Sequence, residues 1–251
     1  GEWSLCAAIA LLLATALMTT WARMRQLGVQ RGAAVAVMAL VVLVVAPRVL
    51  PRPHMVSLLG LAVTLWLIER SRQRGHVSAL RPLPLVMVLW SQFHVEVLFG
   101  VALTGLHSLA ETIQPTTLGH TRRDKAHLWL ITLAGAVGTL LTPYGPGLWR
   151  YLHENSLVPQ LIRIAELLAP TLPSYAAFFL FGAITLIMLS VHARVGLYEL
   201  AVALFLGWLS LRHVRFTALF AVAVAPFVAR ALSETVAAAW LRKGLLLLTV
   251  F

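Results

Sequence analysis

Nine apolar runs separated by short basic clusters fill almost the whole of this chain, at residues 3–21, 33–46, 55–68, 82–90, 97–110, 128–141, 174–191, 196–211 and 216–232. A soluble fold of this size would have to cover those runs with charge, and the charge is missing. Only 12% of the residues are charged and 60% are hydrophobic, where a soluble domain carries about 25% charged residues. Mean hydropathy is +0.86. A bilayer is the solvent that suits such runs, and it demands that each backbone satisfy its own hydrogen bonds as helix. The expected fold is therefore all-α: a polytopic integral membrane protein with about eight or nine transmembrane or re-entrant helices, several of them short. One helical domain spans residues 1–251, with 142–173 as a segment lying on the outer face.

The net charge of +11 does not point to nucleic acid, because the basic residues are scattered between apolar runs. That distribution is how membrane proteins orient themselves. The lone Cys6 excludes an internal disulfide. The chain opens Gly1-Glu2-Trp3 without an initiator methionine and closes inside a leucine-rich run, so the expectation is a piece of a longer protein. No basic region precedes the first run as it would in a signal peptide.

Several runs are too short to cross unaided. Fourteen helical residues cover about 21 Å, against a hydrocarbon core of roughly 30 Å. Backbone that breaks at membrane depth must be buried in protein or line a wet cavity. The breaks at 47–54 and 91–96 are thus candidate cavity walls. Taking 82–90 and 97–110 as a hairpin, with Trp3 outside, puts fourteen of the 20 lysines and arginines on the inner face. The positive-inside rule selects that orientation.

Four unusual polar segments then share the outer side: 47–54, 91–96, 142–173 and 212–215. Ionisable residues near the membrane are costly and mark sites or pathways. Arg48, Arg52, Arg212 and Arg215 present guanidinium forks suited to a phosphate or pyrophosphate head group. The bland alternative is that each arginine merely snorkels to head groups. His94, two residues from Glu96, is the candidate proton carrier. His54, Gln92, Tyr144 and His213 complete the candidate substrate-binding set, although Tyr144 in Pro-Tyr-Gly is first of all a turn residue. Glu199 in an apolar run reads as a buried functional acid or, near the inner end of that run, as a side chain facing water. The segments 148–152 and 161–168 alternate apolar and charged residues as an interfacial helix does.

Motifs for soluble chemistry are absent. There is no clustered Cys/His set, no H-E-x-x-H, no P-loop and no nucleophile elbow. His94-Val95-Glu96 has the H-x-E of zinc deaminases without their C-x-x-C. No metal site is expected from this segment alone.

Four strings occur in order: Pro51-Arg52-Pro53-His54, Leu89-Trp90-Ser91-Gln92-Phe93-His94, Thr142-Pro143-Tyr144-Gly145 and Leu211-Arg212-His213-Val214-Arg215. Together they resemble bacterial polytopic membrane proteins related to C-type glycosyltransferases, the protein-mannosyltransferase-like class. Gln92, Thr142 and Phe216 stand where that group has asparagine, and Val95 and Glu96 where it has two glycines. The resemblance implies sugar transfer from a polyprenyl-phosphate donor on the extracytoplasmic side. It also implies an acidic residue in the first outer loop, sometimes with a divalent metal. That acid is expected upstream of Gly1, since Asp124 falls on the inner side. The rival readings are a lipid or solute transporter and a non-catalytic membrane scaffold. A transporter is expected to show an internal hydropathy repeat, which this chain lacks.

Overall fold

The computed structural model describes residues 2–114, 121–156, 167–191 and 195–248. Among them are ten α-helices and no strand. In chain order they are α1 (Glu2–Gln26), α2 (Arg31–Val45), α3 (His54–Arg74), α4 (Leu83–Ser91), α5 (Val97–Ile113), α6 (Arg122–Gly138), α7 (Gly147–Ser156), α8 (Ala176–Val191), α9 (Leu197–Arg212) and α10 (Thr217–Leu248). Each of the nine apolar runs is a helix, and α7 lies within the polar-looking stretch 142–173. Three helical segments, Trp3–Gln26, Arg31–Arg48 and Val214–Thr235, are long and apolar enough to cross a membrane by length and composition. The stretch 157–166, which holds Arg163 and Glu166, lies outside the described residues, as does Arg194.

The helix ends follow from local chemistry. Pro47, Pro51 and Pro53 stop α2 from running into α3, because proline removes an amide donor and restricts the residue before it. Gly75, at φ +65°, ends α3 in the left-handed region that glycine enters without penalty. Thr121 and Asp124 open α6 with a reciprocal capping box. The one aspartate of the chain is thereby a helix cap.

The first part of α10 is the hub. It packs against α1, α2, α3, α8 and α9. Ala221, Ala223, Ala225 and Ala229 are fully buried there. Small side chains let neighbouring backbones approach closely, which is the packing available where no water drives association.

Helices α4 and α5 fold back on each other across the turn 92–96. A Cβ placed on Gly100 would lie 2.8 Å from both Met87 and Trp90, so the two helices are in face-to-face contact. α3 presses on the same indole through Gly60, where a Cβ would stand 2.5 Å from the Trp90 ring. Trp90 is 2% exposed and donates its indole N–H to Ser57 Oγ at 3.0 Å, so it has no room to retreat. Gly60→Ala is therefore expected to destabilise the chain by about 1–3 kcal/mol through overpacking. Thermal unfolding in detergent checks it, and an unchanged midpoint would show that the indole moves aside freely.

Two features differ from the sequence reading. The basic clusters after the first and third runs are not loops, since α1 continues through Arg23 and Arg25, and α3 through Arg70, Arg72 and Arg74. Arg23 is 1% exposed, and its guanidinium donates to the carbonyls of Val222 and Ala223 at 3.4 Å each. The reason lies in α10. Pro226 has no N–H to give to Val222, four residues back, and its ring crowds that turn. Arg23 supplies the missing donor and lies over the Phe227 ring. Glu199, read either as a buried acid or as facing water, pairs with Arg72 at 2.5 Å with its side chain 15% exposed. Glu69 joins the same cluster at 3.8 Å from Arg72.

Candidate functional site

The site lies at the end of α3 that begins with His54. Three separate breaks meet there: residues 46–54 between α2 and α3, the turn 92–96, and the 3₁₀ turn Val214–Phe216 between α9 and α10. They enclose a cavity of about 120 Å³ lined by Arg48, Arg52, His54, His94, Glu96 and Arg215. Six of the ten residues proposed from sequence thus come together, from segments more than a hundred residues apart.

Each side chain is held from behind. His54 Nε2 donates to the Arg48 carbonyl at 2.8 Å, which closes the 48–54 loop on itself. Val214 N–H donates to the Leu168 carbonyl at 2.9 Å and fixes the turn that presents Arg215. Arg215 grips Glu96 Oε1 through two nitrogens, at 2.9 and 3.3 Å. His94 Nδ1 faces Glu96 Oε2 at 3.3 Å and Ser57 Oγ at 3.0 Å. An ionised carboxylate only accepts, so Nδ1 carries a proton and Nε2 is the nitrogen turned away from Glu96. Nε2 has no hydrogen-bond partner among the described residues.

Glu96 is 4% exposed, in the turn outside the helices. Burial alone would raise its pKa, but the His94 hydrogen bond and charge, together with Arg215, outweigh it and hold the carboxyl down to about 2. Glu96 is therefore an ionised anchor. Among the described residues, the cavity lining holds three arginines and one carboxylate.

The other four candidates stand elsewhere. Tyr144 is 79% exposed in the turn before α7. Gln92 donates to the carbonyls of Val88 and Leu141, tying the hairpin turn to the end of α6. Arg212 lies over the Trp208 ring at 5.7 Å, on the exposed face of α9. His213 Nδ1 donates to the Leu167 carbonyl at 2.6 Å and stacks edge-on against Phe216. None of these four lines the cavity. Ser57 and Trp90 are the parts sequence reading missed. A buried serine inside an apolar run, one turn beyond His54, was the available signal.

Among the described residues no group of three or more histidine, cysteine or acidic side chains is arranged to hold a metal ion. The cavity itself does not suit a divalent cation, because its one carboxylate is occupied by Arg215 and His94 and three arginines share the space. No family model matches the chain, and no curated protein matches it significantly.

Proposed function

We propose that this chain is the helical membrane part of a glycosyltransferase-like enzyme, which transfers a sugar from a polyprenyl-phosphate donor to an acceptor on the extracytoplasmic side. The observation that carries it is the convergence of Arg48, Arg52 and Arg215 on one cavity beside a histidine oriented by a carboxylate. The membrane reading has its own support, because the molecule exposes large apolar side chains while burying charged ones. Leu11, Met18, Leu85, Leu130, Leu133 and Leu186 are each 60% exposed or more, while Arg23, Glu69, Glu96 and Glu111 are buried. Soluble monomers rarely expose so much apolar surface. Helix hydroxyls such as Thr104, Ser108, Thr132 and Thr185 donate to carbonyls of their own helices, as they must without water.

In this reading the arginines hold the donor phosphate and neutralise it as it leaves. The acceptor oxygen attacks the anomeric carbon and the bond from that carbon to the phosphate oxygen breaks, its electron pair passing to phosphate. His94 Nε2 takes the acceptor proton, and Glu96 stabilises the resulting imidazolium. Arg52 is exposed and can be removed without disturbing the core. Arg52→Ala is expected to weaken binding of a polyprenyl phosphate by about tenfold or more, the worth of one charged hydrogen bond. His94→Gln is expected to bind that lipid and fail to transfer sugar. Unchanged lipid binding in the first variant, or full transfer in the second, would remove the corresponding role.

A transporter is the second reading, supported by the cluster of Glu69, Arg72 and Glu199 at the opposite end of α3, with Glu69 buried and the other two half-buried. Ionisable groups at both ends of one helix, about 27 Å apart, suit a pathway. Flux of substrate without any glycosylated product would favour it.

A further inference from the structure

Two ion pairs hold α9 and the turn after it to the rest of the bundle. At one end, Arg215 and His94 between them engage both oxygens of Glu96. At the other, Arg72 of α3 takes Glu199, in the first turn of α9, at 2.5 Å. α5 packs on both α3 and α9, which hardly touch each other elsewhere among the described residues. The Arg72–Glu199 pair is thus a strap across the gap.

The two pairs are not equally satisfied. Glu199 Oε2, Arg72 Nε and the Tyr198 hydroxyl are all sealed from solvent and lack a hydrogen-bond partner. They belong to one cluster, because the Arg72 guanidinium also lies over the Tyr198 ring at 5.3 Å. Atoms without accessible surface admit neither water nor ligand while the helices stay in place. Leaving such groups unpaired is costly, and only movement of the helices relieves it. No side-chain atom of Glu96 or Arg215 is buried and unpaired in this way. Gly196 fits the strap closely. It is the N-cap of α9, and a Cβ there would overlap Glu199 Oε2.

We propose that the Glu199 end of α9 is a gate, shut by Arg72 and opened locally to water with the bundle still folded. Openings of this kind arise in the least satisfied parts of a fold. When the strap parts, the carboxylate, the phenol and the guanidinium are hydrated together. The far end of α9 stays pinned, since His213 Nδ1 and Val214 N–H hold the carbonyls of Leu167 and Leu168. α9 therefore pivots about the turn that presents Arg215 to the cavity. The gate rests on the membrane reading and not on sugar transfer.

The test is thiol labelling of the full chain in micelles, with Cys6→Ala to remove the exposed native thiol and Val202→Cys as reporter. Val202 is fully buried one turn beyond Tyr198, so a thiol there meets a water-soluble maleimide only when the gate opens. Tyr198→Phe removes a hydroxyl that only the closed state leaves unpaired, and is expected to slow labelling by about tenfold. Gly196→Ala pushes the carboxylate off Arg72 with every charge kept, and is expected to speed labelling by about tenfold. Should Gly196→Ala not fold, Tyr198→Phe still decides. An unchanged or faster rate in Tyr198→Phe, or a folded Gly196→Ala that labels no faster, would overturn the proposal. So would a reporter that never labels, or a rate that climbs steeply with sub-denaturing denaturant, which marks global unfolding.

Discussion

Arg23→Leu is expected to lower stability by about 2–3 kcal/mol, and Pro226→Ala in the same chain is expected to recover most of it. Exchanging a buried charge for an apolar side chain is often neutral, because the desolvation cost disappears with the charge. Here the outcome differs, since the partner is a carbonyl that stays behind. Pro226 leaves Val222 without its helical donor, and Arg23 is what that carbonyl meets instead, with Ala223 beside it. A buried carbonyl without a donor costs about 1–3 kcal/mol. Alanine at 226 restores an N–H to the helix, so the orphan vanishes and the leucine at 23 becomes tolerable. A double-mutant cycle by denaturant unfolding in micelles should give a coupling of about 1–3 kcal/mol. Simple additivity would mean that Arg23 serves the Glu69–Arg72–Glu199 cluster rather than the proline.

Glu96→Gln is the second large effect. Removing one partner of a buried pair leaves the other charge uncompensated, at about 3–5 kcal/mol. Arg215 keeps a quarter of its side chain in contact with solvent, so the lower end applies. The displacement of the carboxyl from its ordinary 4.5 to about 2 leads independently to roughly 3 kcal/mol. The sign of the pH dependence follows. A depressed carboxylate contributes fully above its unfolded pKa and loses that contribution as pH falls towards the folded one. The wild-type melting temperature is expected to drop between about pH 4.5 and pH 2 relative to that of Glu96→Gln. Parallel curves would mean that Glu96 is not an ionised anchor. In the proposed reaction the same variant is expected to be inactive, since His94 then has no carboxylate to hold its Nδ1 proton.

The helices were legible because apolar runs must become helix or be buried, and all nine did. Their ends were not. Hydropathy stops α3 at Ile68, yet the helix continues, with Arg72 pairing to Glu69 on its own helix and to Glu199 across the bundle. Nothing local announces a partner more than a hundred residues away. The same limit explains why Arg23 and Arg72 read as loop charges. For the candidate site, breaks and charge picked out three segments that the fold brings to one cavity, because prolines and ionisable residues between apolar runs are expensive unless used. Which side chains turn inward is set by tertiary contact, and so Arg215 enters the cavity while Arg212, one turn earlier, lies over Trp208. Ser57 was invisible because a lone hydroxyl in a helix usually answers its own backbone.

Trp90, Ser57, His94, Glu96 and Arg215 form an unbroken run of contacts through three pieces of chain: the α4–α5 hairpin, α3, and the turn before α10. No two adjacent helices contain the whole run. During biogenesis the hairpin and α3 emerge long before Arg215 is made. Until that turn arrives, Glu96 lacks the guanidinium that grips its Oε1, and the run stops at His94 and the carboxylate. The order of synthesis therefore makes the last turn of the site also the last to be set.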